Sequence, residues 1–149
     1  KNRYIGRTFI QPNNVDRQQL VAMKFKPLPY DIKDKRIVVV DDSIVRGNTA
    51  GPLVKLLRSA GAKEVHMRIT SPPVKNPCYM GVDISGKKEL IAHNMSLEEM
   101  RKYFNLDSLR FLSLGGMKKA LAGNSSHCDA CFSGNYPIQI SERNIENSN

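Results

Sequence analysis

Four consecutive β-branched residues, Ile37 to Val40, followed at once by two aspartates, constrain the fold of this chain more than any other stretch. No polar residue interrupts the run, so both faces of the strand it predicts are apolar. Such a strand belongs inside a parallel sheet covered on both sides. Asp41 and Asp42 end it, and Ser43 to Thr49 then bring hydroxyls, a flexible Gly47 and a cation, Arg46. A helix follows. Leu53, Val54, Leu56, Leu57 and Ala60 fall at helical spacing, Pro52 sits where a first-turn proline is tolerated, and Gly61 supplies the stop.

A Ser/Gly/Thr loop leading into a helix leaves unpaired N–H groups beside a positive dipole end, a combination suited to a phosphate monoester. The aspartates suit different company. At the carboxyl end of a parallel strand they can accept hydrogen bonds from sugar hydroxyls or hold a hard divalent cation such as magnesium. The candidate binding set is therefore Asp41, Asp42, Ser43, Ile44, Val45, Arg46, Gly47, Asn48 and Thr49. A phosphate cradle beside a diol or magnesium site fits a ribose 5-phosphate. The stretch is neither a Walker loop, lacking Gly-Lys-Ser/Thr, nor a dinucleotide turn, lacking the glycines. The plain alternative is a strand-to-helix turn whose acids face water.

The segment VVVDDSIVRGNT resembles the phosphoribosyl pyrophosphate signature of the type I phosphoribosyltransferases. The opening, KNRYIGRTFIQPNNVDRQQLVAMKFKPL, resembles amidophosphoribosyltransferases in particular. In that family the segment is a mobile loop that closes over the sugar pyrophosphate and helps form a passage for ammonia. The resemblance thus implies that Lys1, Tyr4, Arg7 and Lys24 lie near the substrate or the channel. Their chemistry agrees in part, since cations meet phosphate oxygens and a tyrosine excludes water while keeping a polar tip. Without the resemblance each reads as a solvated cation or a packing aromatic.

The implied fold is α/β, a type I phosphoribosyltransferase-like parallel sheet flanked by helices, and incomplete, as the C-terminal portion of a longer chain. Residues 1–122 would form a partial transferase domain, with the mobile loop region at 1–35 and the phosphoribosyl pyrophosphate motif and its helix at 36–61. Residues 123–149 would form a cysteine-containing tail. The implied activity is transfer of a phosphoribosyl group to glutamine-derived ammonia, giving phosphoribosylamine and pyrophosphate, the first step of purine synthesis. The implied partners are phosphoribosyl pyrophosphate, ammonia from an upstream glutaminase domain, inhibitory purine nucleotides, and further copies in a homo-tetramer. The 149 residues alone are expected to be inactive, because the pyrophosphate loop lies upstream in the family.

Composition agrees with a globular enzyme of this kind. Residues 1–36 hold nine Lys/Arg against three acids, and 37–149 hold fourteen against eleven, so most of the +9 charge precedes the strand. A basic excess can mean nucleic acid. The aromatic signatures of an RNA module are missing, however, and an electrostatic funnel for a polyanionic small molecule accounts for the same charge. Neither a membrane span nor a secretory signal is visible, so the expected location is cytoplasmic.

Beyond the central helix, 63–70 reads as a parallel strand with Val65, Met67 and Ile69 apolar, ended by Ser71-Pro72-Pro73. A short helical piece is expected at 89–93. Ser96 and Glu99 form a capping box opening a helix over about 97–104. A short strand at 109–112 and a helix at 116–121 complete the pattern, and 141–149 is polar enough to fray. The β-α-β order suggests a doubly wound sheet with too few strands for a whole fold.

Three cysteines, Cys78, Cys128 and Cys131, argue against a disulfide framework. Cys128-Asp129-Ala130-Cys131 alone could be a redox pair, a zinc half-site with His127, or two reduced thiols. The PCYMG and HCDACFSGNYP stretches resemble the iron–sulfur subgroup of amidophosphoribosyltransferases, which implies that the three cysteines bind a [4Fe-4S] cluster. Such a cluster takes four thiolates, so the fourth would come from upstream. The histidines read as structural. Two rival functions share the Asp-Asp signature: a non-catalytic regulator that binds phosphoribosyl pyrophosphate, and a transferase acting on a nucleobase. The first should lack both the opening loop and the cysteines, and the second needs a base-stacking pocket that no motif marks.

Overall fold

The computed structural model describes residues 25–84, 86–121 and 127–140. Helix α1 (Pro29–Ile32) leads into strand β1 (Arg36–Asp41), and helix α2 (Ala50–Ser59) into β2 (Glu64–Ile69). A 3-10 turn at Lys87–Glu89, α3 (Ile91–Asn94) and α4 (Leu97–Tyr103) then precede β3 (Ser108–Phe111), α5 (Leu114–Ala120) and α6 (Ala130–Ser133). The strands form one sheet in the order β1-β2-β3. Lys63 N–H reaches the Lys35 carbonyl and Thr70 N–H that of Asp41, so residue numbers rise together along β1 and β2. Asp107 to Val65 and Leu112 to Ile69 do the same for β2 and β3. All three strands are parallel, with helices in the connections, as the β-α-β pattern predicts.

Helix α2 ends as its sequence requires. Gly61 takes φ +89, a region where a side chain is strained, and a Cβ there would lie 3.2 Å from Lys33 Cγ. Its carbonyl accepts the Asp34 N–H at 2.8 Å, fastening the helix exit to the turn before β1. The capping box at the start of α4 is formed in both directions. Ser96 N–H donates to Glu99 Oε2 at 2.7 Å and Glu99 N–H to Ser96 Oγ at 3.3 Å. Helix α5 begins two residues earlier than expected because Ser113 caps it, accepting from Gly116 N–H at 3.0 Å.

Strand β1 is covered unevenly by the described residues. Val38 and Val40 are 59% and 65% exposed, while Ile37 and Val39 are half-buried. An unbroken valine run carries no period-two signal, so it does not say whether one face or two are covered. Among the described strands β1 stands at an edge and covers one face only. Strand β2, flanked on both sides, does bury its apolar set, with Val65 and Met67 at 0% and Ile69 at 3%.

The described residues group into two compact units. The first comprises 25–39, 47–67 and 101–109, with Val54, Val65, Met67, Phe104, Leu106 and Leu109 buried. The second comprises 40–46, 68–84, 86–100, 110–121 and 127–140, with Ile44, Ile69, Val74, Leu90, Ile91 and Met100 buried. Among the described residues no helix is long and apolar enough to cross a membrane.

Candidate functional site

The Asp41 carbonyl is held at the end of β1 by the Thr70 N–H at 3.0 Å and its hydroxyl at 3.3 Å. Both aspartates therefore stand at the carboxyl end of a parallel strand, where open α/β sheets take their ligands. Asp42 N–H donates to Asp41 Oδ1 at 3.1 Å, and the Ser43 hydroxyl donates to Asp42 Oδ1 at 3.0 Å. Asp42 is exposed and Asp41 half-buried.

The next residues alternate between anchoring and availability. Ile44 is 3% exposed, and Val45 packs on the cluster of Val74, Ile84 and Leu90. Of the expected binding set these two offer a ligand only their backbone. The Val45 carbonyl accepts Ile91 N–H at 3.0 Å, and Arg46 pairs with Glu89 through Nε and Nη2, each 2.6 Å from Oε2. Gly47 follows at φ +78, its carbonyl accepting from Gly51 N–H, and Thr49 caps α2 without a side-chain bond to the helix. Among the described residues, no N–H from Ser43 to Thr49 is paired to a protein acceptor. A row of seven unpaired donors leading into a ten-residue helix suits a phosphate.

Among the described residues no three His, Cys, Asp or Glu side chains are arranged to hold a metal alone. Magnesium binding at Asp41 and Asp42 would thus have to be completed by the substrate's own oxygens and water, the habit of this ion at phosphate sites. Lys1, Tyr4, Arg7 and Lys24 lie outside the described residues.

Two of the cysteines, Cys78 and Cys131, converge although fifty-three residues of sequence separate them. Cys78 and Cys131 pack on the same apolar cluster, beside Phe132. The Cys131 carbonyl accepts the N–H groups of Lys75 and Asn76, both at 3.0 Å, and Cys78 Sγ accepts Met80 N–H at 3.4 Å. Tyr136 donates to the Pro77 carbonyl at 2.8 Å, and its ring lies 5.2 Å from that of Tyr79. Burial and then the charge of Cys78 push the Cys131 thiol up, and burial followed by the neighbouring Tyr79 pushes the Tyr136 phenol up to about 12. Cys128 is exposed, and among the described residues the three thiols are not grouped as a set that could hold a metal by themselves. A raised thiol is the opposite of what an attacking redox cysteine needs, so nothing here favours a thioredoxin-like role. Asp129 steadies the turn between Cys128 and Cys131, paired with Lys118 at 2.6 Å and accepting the Ser133 hydroxyl at 2.7 Å.

Glu89 and Ile91 are the partners of this loop that no sequence pattern marks. The ion pair spans forty-three residues, and the helical piece expected at 89–93 divides into a 3-10 turn that ends at Glu89 and a helix that begins at Ile91.

No family model matches the chain. It is 49% identical over 148 residues to the amidophosphoribosyltransferase of Drosophila melanogaster, covering 92% of this chain and 27% of that protein. The Homo sapiens amidophosphoribosyltransferase is 44% identical over 167 residues, covering 94% of this chain and 32% of that one. The structure of the Bacillus subtilis glutamine phosphoribosylpyrophosphate amidotransferase, complexed with ADP and GMP, superimposes with a TM-score of 0.78 at 47% identity, over 95% of this chain and 32% of that one. The chain spans under a third of the length of these relatives.

Proposed function

We propose that this chain is the phosphoribosyl-binding part of an amidophosphoribosyltransferase, the enzyme to which its sequence is similar over most of its length. The observation that carries the reading is the row of unpaired N–H groups from Ser43 to Thr49 beginning directly after Asp41 and Asp42. The row would hold the 5-phosphate of phosphoribosyl pyrophosphate. The two carboxylates would take the ribose hydroxyls and share magnesium with the pyrophosphate. Departure of pyrophosphate builds positive charge on the sugar, which a pair of carboxylates stabilises by position alone. Ammonia attacks as the neutral base, so this half of the reaction needs exclusion of water more than a catalytic histidine. In the complete protein Lys1, Tyr4, Arg7 and Lys24 would supply that closure.

The complete protein, given phosphoribosyl pyrophosphate, ammonium and magnesium, is expected to form phosphoribosylamine and to stop when magnesium is chelated. Tight binding of the sugar pyrophosphate without turnover would instead establish a non-catalytic sensor. Purine nucleotides are the proposed inhibitors, in line with the ADP and GMP carried by the B. subtilis neighbour.

The finer reading places the protein in the iron–sulfur subgroup, with Cys78, Cys128 and Cys131 as thiolate ligands. The packing of Cys78 and Cys131 on one apolar cluster and the N–H donated to Cys78 Sγ support it, since such hydrogen bonds stabilise cluster sulfurs. Three thiolates do not complete a cubane, so a fourth must come from another part of the protein. Prepared without oxygen, the complete protein should contain about four irons per chain. Stoichiometric zinc in that preparation would replace the cluster with a zinc site.

A further inference from the structure

A loop that leaves its N–H groups free for a ligand has few hydrogen bonds of its own to hold its shape, so its geometry must be imposed by neighbours. Three consecutive residues do so here. Glu89 binds the Arg46 guanidinium, Leu90 belongs to the apolar cluster against which Val45 packs, and Ile91 N–H holds the Val45 carbonyl. Those three are themselves fixed. Leu90 and Ile91 are 1% and 7% exposed, and the Asn94 amide donates to the carbonyls of Lys88 and Leu90 at 2.8 and 3.0 Å.

We infer that Glu89 is a positioning residue for the phosphate loop, holding Arg46 as a brace rather than leaving it to contact the phosphate. Two observations carry this. The guanidinium already spends Nε and Nη2 on one carboxylate oxygen at 2.6 Å. A carboxylate this near an anion site would also repel the ligand unless Arg46 stayed paired with it. The inference takes its ligand from the function proposed above.

The two roles of Arg46 predict opposite signs. If Arg46 braces the loop, Glu89→Ala in the complete protein loosens it and raises KM for phosphoribosyl pyrophosphate by about threefold to fivefold, the range a partly exposed ion pair supplies, while kcat is little changed. If Arg46 binds phosphate and Glu89 merely restrains it, the same change frees the cation and lowers KM. A lowered or unchanged KM overturns the inference. Glu89→Gln keeps the acceptor and loses the charge, so it should fall between wild type and Glu89→Ala, and it decides the matter where the alanine variant fails to fold. Exchange of the Ile91 and Gly51 amides, which donate to the Val45 and Gly47 carbonyls, supplies an arm that needs no turnover. It should quicken in Glu89→Ala and not elsewhere, and unaltered exchange sinks the brace even if the protein proves to catalyse nothing.

Discussion

Replacing Asp41 and Asp42 together by asparagine in the complete protein is expected to lower the rate of phosphoribosyl transfer by a factor of at least about a hundred, with the melting temperature little changed. Each carboxylate would lose a charge-assisted interaction worth about 1.5 to 3 kcal/mol in the reaction. Two such losses raise the barrier by about 3 kcal/mol or more, and every 1.36 kcal/mol is tenfold in rate. Folding should be spared for local reasons. The Asp41 carbonyl, which asparagine retains, carries the contact to Thr70, and an amide oxygen can still accept from Asp42 N–H or the Ser43 hydroxyl. Steady-state transfer and thermal unfolding measured on the same preparation separate the two effects. A double variant that transfers at the normal rate removes the aspartates from the mechanism.

What could be read from the sequence was local or periodic. The helix over Ala50–Ser59 announced itself through apolar spacing and its glycine stop, and the Ser96/Glu99 box through two residues three apart. Both signals act within one turn of chain, so tertiary context had little to override. Strand β1 shows the limit. Valine after valine specifies a strand but no face, and Val38 and Val40 stand exposed because nothing among the described residues covers the face they share. The four-residue helices Pro29–Ile32 and Ala130–Ser133 were invisible because one turn holds no period. Within the site, the aspartates and the loop were legible as a motif. The brace was not, since Glu89 and Arg46 meet only after a forty-three-residue excursion. The convergence of Cys78 with Cys131 was compatible with the chain length, yet nothing in the residues themselves required it.

The second large effect concerns stability and resides at Asp107. Its Oδ2 accepts both Val65 N–H and Arg58 Nη2 at 2.6 Å, and Arg58 in turn donates to the carbonyls of Lys63 and Asn105 at 3.0 and 3.1 Å. One carboxylate thus joins the end of α2, the start of β2 and the turn before β3. Burial pushes its carboxyl up, but the Val65 N–H and the Arg58 guanidinium outweigh that and hold it below the usual 3.8. A depressed carboxyl stabilises the fold above its unfolded pKa and loses that contribution as pH falls through the folded value. The contribution should therefore be whole at neutral pH, begin to fall only near 3.8 and vanish below the lower folded value. Asp107→Ala leaves Val65 N–H without its acceptor at a fully buried residue and Arg58 without its counter-ion. The expected loss at pH 7 is about 2 kcal/mol, the penalty for stranding a buried donor. Glu64 and Asp129 are also depressed, the first chiefly by Arg36 and the second by Lys118, so some acid sensitivity must survive in the variant. The informative quantity is the difference between wild type and Asp107→Ala in denaturant unfolding across pH 2.5 to 7, where the two curves should draw together as the pH falls. Curves separated by the same free energy at every pH would show that the carboxylate's charge contributes nothing and that Asp107 acts only as a neutral acceptor and by packing.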